Sequence, residues 1–236
     1  VAFSDSLTKA VYNDNPRAMR LQPEDFEHIS YSRIMEMYKE RFEDASGFVF
    51  TFVGNINTDS IRPYIEQYLA TLPAKGNVVN GNPAEVPALR KGDYTNIFRR
   101  QMEIPKATVA ILYSGQIDYI LENIISATML KQILDLVYME KVREDEGGSY
   151  GVQTSARISP FPQGQTILQI FFDTDPVKRE RMNAIIHNEL KRISDMGPRP
   201  EDFKKTQDNM QKRHAENLQE NSYWLNVLDN YYYKDF

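Results

Sequence analysis

The chain contains no cysteine. That excludes disulfides, thiolate metal sites and a cysteine nucleophile, and it leaves the compartment open. Histidine is nearly as scarce: His28, His187 and His214 are the three in 236 residues. None has a second histidine within one or two helical turns. His187 and Glu189 are two positions apart, as are His214 and Glu216, so each pair points to different faces of a helix. A zinc site needs ligands at converging positions. The three therefore read as surface histidines, and no metal ligand is assigned to the chain. No G-x-S-x-G surrounds a serine, and Ser149 has no histidine near it in sequence. No run approaches the roughly 20 apolar residues of a membrane span. The start shows no basic-plus-apolar leader. At a net charge of −5 there is no basic run of the kind that binds nucleic acid. Neither nucleic acid nor a membrane span is expected as a partner.

What remains is globular: 41% hydrophobic and 26% charged residues. The length can bury a sizeable core and fits two structural units. A chain that begins at Val1 is expected to be a fragment or a processed product.

Periodicity predicts the elements. Residues 24–42 read as a helix, with Phe26, Ile29, Ile34, Met37, Tyr38 and Phe42 at helical spacing behind Pro23. Residues 48–53 read as a strand apolar on both faces. After Gly54-Asn55, Thr58 or Asp59 is expected to cap a helix carrying Ile61, Ile65, Tyr68 and Leu72. Residues 74–92 hold Gly76, Gly81, Pro83, Pro87 and Gly92 without a period and read as a linker. Strands are expected at 98–103 and 108–113. Leu121, Ile125, Met129, Ile133 and Val137 step by fours along a helix, widened by Ile124 and Leu136. Residues 150–158 alternate as a half-buried strand, and 165–172 form another. Either 48–53 or 165–172 would accept an added peptide strand if it lay at a sheet edge; a core strand is the safer reading for both. Asp175-Pro176 is expected to start a helix running to Ile193, stopped by Gly197-Pro198. A last, mostly polar helix follows Pro200. Trp224, Leu225 and Leu228 are expected to pack its end, although the tyrosines at 231–233 also admit ligand stacking.

Chemistry concentrates at residues 142–152, Val-Arg-Glu-Asp-Glu-Gly-Gly-Ser-Tyr-Gly-Val. Arg143 closes a helix, turn residues follow, and Tyr150 opens a strand. A guanidinium fork and a phenol, brought together by the Gly147-Gly148 turn, can hold a polarised carbonyl or an oxyanion. Equally, Arg143 can cap the helix dipole while Glu144, Asp145 and Glu146 solvate a loop.

The segment 134–152 resembles the carboxy-terminal half of the pitrilysin/insulinase family of zinc metallopeptidases, which carries arginine and tyrosine at this spacing in an (R)-E-x-x-G-x-x-Y context. Gly54-Asn55-Ile56 after an apolar strand, followed by a helix ending in Leu72-Pro73, is similar to the family's strand–GN–helix–LP module. Leu21-Gln22-Pro23-Glu24-Asp25-Phe26 is similar to the start of the helix before it. The resemblance covers most of residues 20–236.

It implies an α+β fold of two-layer sandwich units with antiparallel-rich sheets backed by helices. Residues 1–73 would end one domain, 74–94 would link, and 95–236 would begin a second, related domain. The implied function is the carboxy-terminal, non-zinc part of a zinc metalloendopeptidase. The family's H-x-x-E-H motif is missing. Zinc, its ligands and the general-base glutamate would therefore belong to an amino-terminal half, and this segment alone would be inactive. Arg143 and Tyr150 would then donate to the substrate, with Gly147 and Gly148 setting their geometry. The substrate would be a peptide or unfolded protein enclosed between the halves. A bacterial member would favour the periplasm or cell envelope. The alternatives are an inactive structural or docking subunit of the same family, or an unrelated α+β binding module.

Overall fold

The structure is a computed structural model. It describes residues 2–76, 86–146, 151–161 and 164–234, without the side chains of 143–146 and 234. The chain divides into two compact units, Val1–Ala18 with Val86–His214, and Met19–Glu85 with Ala215–Phe236.

The first unit is built on an antiparallel sheet of β1 (Ala107–Gln116), β2 (Val152–Ser159) and β3 (Gln165–Thr174), in the order β1-β3-β2. The register pairs Ile111 and Thr154 with Ile170, and Val109 and Val152 with Phe172, so even positions of β3 share one face. Against that face pack α4 (Leu121–Glu146) and α5 (Arg179–Met196). Ile133, Leu134, Val137, Tyr138, Val142, Ile170, Phe172, Met182, Ile186 and Ile193 form one buried cluster. The opposite face carries Phe171, met edge-on by Phe3 of α1 (Ala2–Tyr12) at 6.0 Å. Gly197, at φ +79°, turns the chain out of α5 in the left-handed region that glycine adopts at no cost. Helix α6 (Pro200–Asn217) follows.

The α+β class with a small antiparallel sheet is as expected, and Ile133 and Val137 of the expected α4 stripe are buried with Met129 packed against them, but the start of that stripe is not. Leu121 and Ile125 are exposed, while Leu134, Tyr138 and Val142 are buried. Four residues advance an α-helix by about 400°, so a strict four-step row drifts roughly 40° per step off any one face. The buried residues fall instead in two adjacent short rows, Ile133–Val137 and Leu134–Tyr138–Val142.

The second unit holds α2 (Tyr31–Phe42), α3 (Thr58–Tyr68) and α7 (Asn221–Lys234). The helix expected over 24–42 is broken. A 3-10 turn covers Pro23–His28, and Ser30 then caps α2 by accepting from the Arg33 N–H at 3.3 Å. The α3 cap is Asn57, whose side chain accepts from the Ser60 N–H at 2.9 Å, one residue before the expected candidates. Residues 48–53 and, in the first unit, 98–103 are in no sheet. Alternation and β-branching make a segment fit a pleated surface, but a strand exists only with a partner to bond. Asp175 likewise starts a turn, with Oδ1 accepting from the Val177 N–H at 2.8 Å, and α5 begins only at Arg179.

Candidate functional site

Helix α4 does not end at Arg143. It continues to Glu146, so Glu144, Asp145 and Glu146 are helical rather than loop. Nothing in that run breaks a helix before Gly147. Arg143 therefore occupies the last turn of α4. Its side chain, and Gly147, Gly148 and Tyr150 altogether, lie outside the described residues.

Val142, next to Arg143, is 1% exposed in the core. Thr154 Oγ1 of β2 donates to the Lys131 carbonyl at 3.2 Å and also bonds the Asp135 carboxylate, fixing strand to helix. Lys131 pairs with the same carboxylate. Arg143 is eight positions beyond Asp135, about 12 Å of helix. The chain re-enters at Gly151 and joins β2 at Val152.

A second tether holds α4 nearer its C-terminal end. Arg199, between α5 and α6, donates to both Glu140 oxygens, through Nη1 to Oε1 at 3.0 Å and through Nη2 to Oε2. It also donates to both Asp202 oxygens, through Nε at 2.6 Å and Nη2 at 3.1 Å. The hydrogen bond from Arg199 holds the Glu140 carboxyl below the usual carboxylate range. Hydrogen bonds to Glu140 and then Asp202 raise the guanidinium still further above its ordinary value. Sequence reasoning did not single out Arg199. Its only local sign is an arginine ahead of a helix with Glu201-Asp202 in the first turn.

All three histidines are exposed, as expected. His187 Nδ1 lies 2.9 Å from the Tyr113 hydroxyl across from β1. Burial pushes the Tyr113 phenol up, and pushes that of Tyr138 much further, with Tyr113 and Glu189 adding to it. Among the described residues no group of three His, Asp or Glu could hold a metal ion. The zinc that the resemblance implies therefore finds no fitting ligand set there. No helix among them is long and apolar enough to cross a membrane. Residues 165–172 belong to the central strand, paired on both sides, and cannot accept another. Trp224 stays 44% exposed and donates to the Leu218 carbonyl at 2.9 Å, closing the α6–α7 turn rather than filling a core.

Comparison with known proteins shows the family and the fold. The family model described as "Peptidase M16 inactive domain" matches residues 28–210. A zinc protease PQQL-like protein of Arabidopsis thaliana is 22% identical over 238 residues, covering 96% of this chain and 25% of its own length. The periplasmic protease PqqL of Escherichia coli superposes with a TM-score of 0.70 at 17% identity, over 99% of this chain and 26% of its own. The ferredoxin protease FusC, solved in complex with Arabidopsis ferredoxin, gives 0.73 at 12% identity, over 99% of this chain and 25% of its own. The chain thus spans about a quarter of the length of these relatives. It belongs to the M16 peptidase family, of which it carries the inactive, carboxy-terminal type of domain.

Proposed function

We propose that this chain is the substrate-holding, non-zinc part of a zinc metalloendopeptidase, and that Arg143 and Tyr150 donate to the substrate backbone or to the oxyanion formed on peptide attack. The observation that carries this is the mounting of Arg143. It stands on the last turn of a 26-residue helix, beside buried Val142, on a helix end that Arg199 grips. A donor whose backbone is held this way would need less reorganisation when charge develops, which is what makes an oxyanion hole effective. Gly147 and Gly148 would allow the tight connection between the two donors. Zinc, bound by ligands on the amino-terminal half, would supply the activated water. The PqqL and FusC neighbours support a protein or peptide substrate, and PqqL a periplasmic setting for a bacterial enzyme. The division into 1–73, a 74–94 linker and 95–236 is proposed with it. Limited proteolysis should cut first within 74–94, and early cuts inside α4 would count against that division.

Kinetics of the full-length protein test the main reading. Arg143→Ala and Tyr150→Phe should each lower turnover roughly a hundredfold or more, about 2.7–4 kcal/mol, with little change in the Michaelis constant. Wild-type turnover in both variants would return Arg143 to a helix-end cap, and the chain to a structural or docking subunit.

A further inference from the structure

Arg199 joins two helices that no nearby sequence connects. Glu140 lies 59 residues before it on α4, and Asp202 lies in the first turn of α6. One planar guanidinium spans both carboxylates, each through two of its oxygens. Such a fork fixes orientation as well as distance. Asp202 is 6% exposed, so its cation is required where it stands. By contrast, Lys191–Asp195 and Lys204–Asp208 are i,i+4 pairs on single helices and tie nothing together.

Glu140 and Arg143 are three residues apart on α4, within one turn. A shift of the Glu140 backbone is therefore a shift of the Arg143 backbone. We infer that Arg199 is a positioning residue, which holds the last turn of α4, and with it Arg143, where substrate is met. This rests on the reading of Arg143 as a substrate or oxyanion donor. A misplacement of about 1 Å can cost on the order of a hundredfold in rate, so a clamp one turn away has consequences for turnover as well as for folding.

The test is a double-mutant cycle in the full-length enzyme. Arg199→Ala should lower kcat about tenfold or more with KM nearly unchanged. In an Arg143→Ala background the same change should lower kcat by less than about twofold, because nothing remains to be positioned. Arg199→Ala leaves Asp202 buried without its cation. Glu140→Gln is therefore carried through the same cycle: it keeps the Arg199–Asp202 pair and loosens only the α4 side. It should show a smaller loss with the same disappearance in the Arg143→Ala background. Equal losses in both backgrounds, or no loss from either variant, would overturn the positioning role while leaving the Arg143 reading intact. Wild-type turnover in Arg143→Ala itself would overturn both.

Discussion

The two units are built from similar sequence patterns and end in different states. Every fully buried hydrophobic residue among the described residues belongs to the first unit, from Ile133 to Ile193. In the second unit Phe26, Ile34, Met37, Tyr38 and Phe42 have helical spacing as good as that of α5, yet all are exposed, at 48–59%. Their rings find one another instead. Tyr38 stacks on Phe42 at 4.8 Å, Phe42 meets Phe48 at 6.0 Å, and Phe48 meets Phe50 at 6.2 Å. The difference is the sheet. In the first unit β1, β2 and β3 supply a flat apolar surface for α4 and α5 to cover. In the second, residues 48–53 have no described partner strand, so α2 has nothing comparable to cover. An apolar face is a requirement for burial, not a guarantee of it.

The largest consequence lies in local stability. Backbone amides of β3, bonded on both sides, should open only with the whole unit, whereas those of 49–53, beyond the Phe48 N–H that donates to the Ala45 carbonyl, should exchange almost freely. Hydrogen exchange on the full-length protein should separate the two by several kcal/mol of opening free energy. Comparable protection would mean that 48–53 is paired in the complete protein, and the contrast between the units would vanish.

Next comes the core itself. Phe172 is fully buried beneath α4. Phe172→Ala should cost about 3–5 kcal/mol in the opening free energy of β3 amides, from lost transfer energy plus the cavity left behind. A cost below about 1 kcal/mol would show a site that collapses freely, and a looser core than the packing implies.

A pH effect follows from the α4–α6 clamp. Arg199 holds the Glu140 carboxyl below its ordinary range. A carboxylate depressed in this way stabilises the fold above its unfolded pKa, and the contribution is lost as pH falls through the lower, folded value. Wild type should therefore exceed Glu140→Gln in thermal midpoint at neutral pH, and the gap should close in acid. A gap that persists at pH low enough to protonate both states would assign the effect to something other than the ion pair. Because the Glu140 side chain is only partly buried, the effect should be smaller than that of a core truncation.

These contrasts also mark what could be read from sequence. The β2 alternation and the α5 stripe through Met182, Ile186 and Ile193 were legible, because both reflect burial against a surface that the chain itself supplies. The break at Ser30 and the Asn57 cap were written in the sequence as N-cap residues, but the longer apolar period masked the first and neighbouring caps the second. Residues 48–53 could not be settled locally, since a strand depends on its neighbour. At the site, Arg143 was legible as a helix-end arginine, although the end lay three residues further on. Arg199 was not, because its meaning depends on Glu140, 59 residues away. Long-range polar pairs leave no period.

The smallest expected effect bears most directly on the comparison. Phe42→Ala removes the same ring as Phe172→Ala, but from a side of the molecule where Phe42 is 57% exposed. No enclosed space surrounds it, so the cavity part of the cost is absent. What is lost is the partial burial of the ring and its contacts with Tyr38 and Phe48. Aromatic pairs are worth about 0.5–1.5 kcal/mol each beyond area when well packed, and less when solvated, so a total near 1 kcal/mol is expected. The measurement is the opening free energy of α2 amides by hydrogen exchange in the full-length protein. If the cost instead reaches the 3–5 kcal/mol range of a buried phenylalanine, the Tyr38–Phe42–Phe48–Phe50 ladder is covered there, and the second unit has a core that it does not build alone.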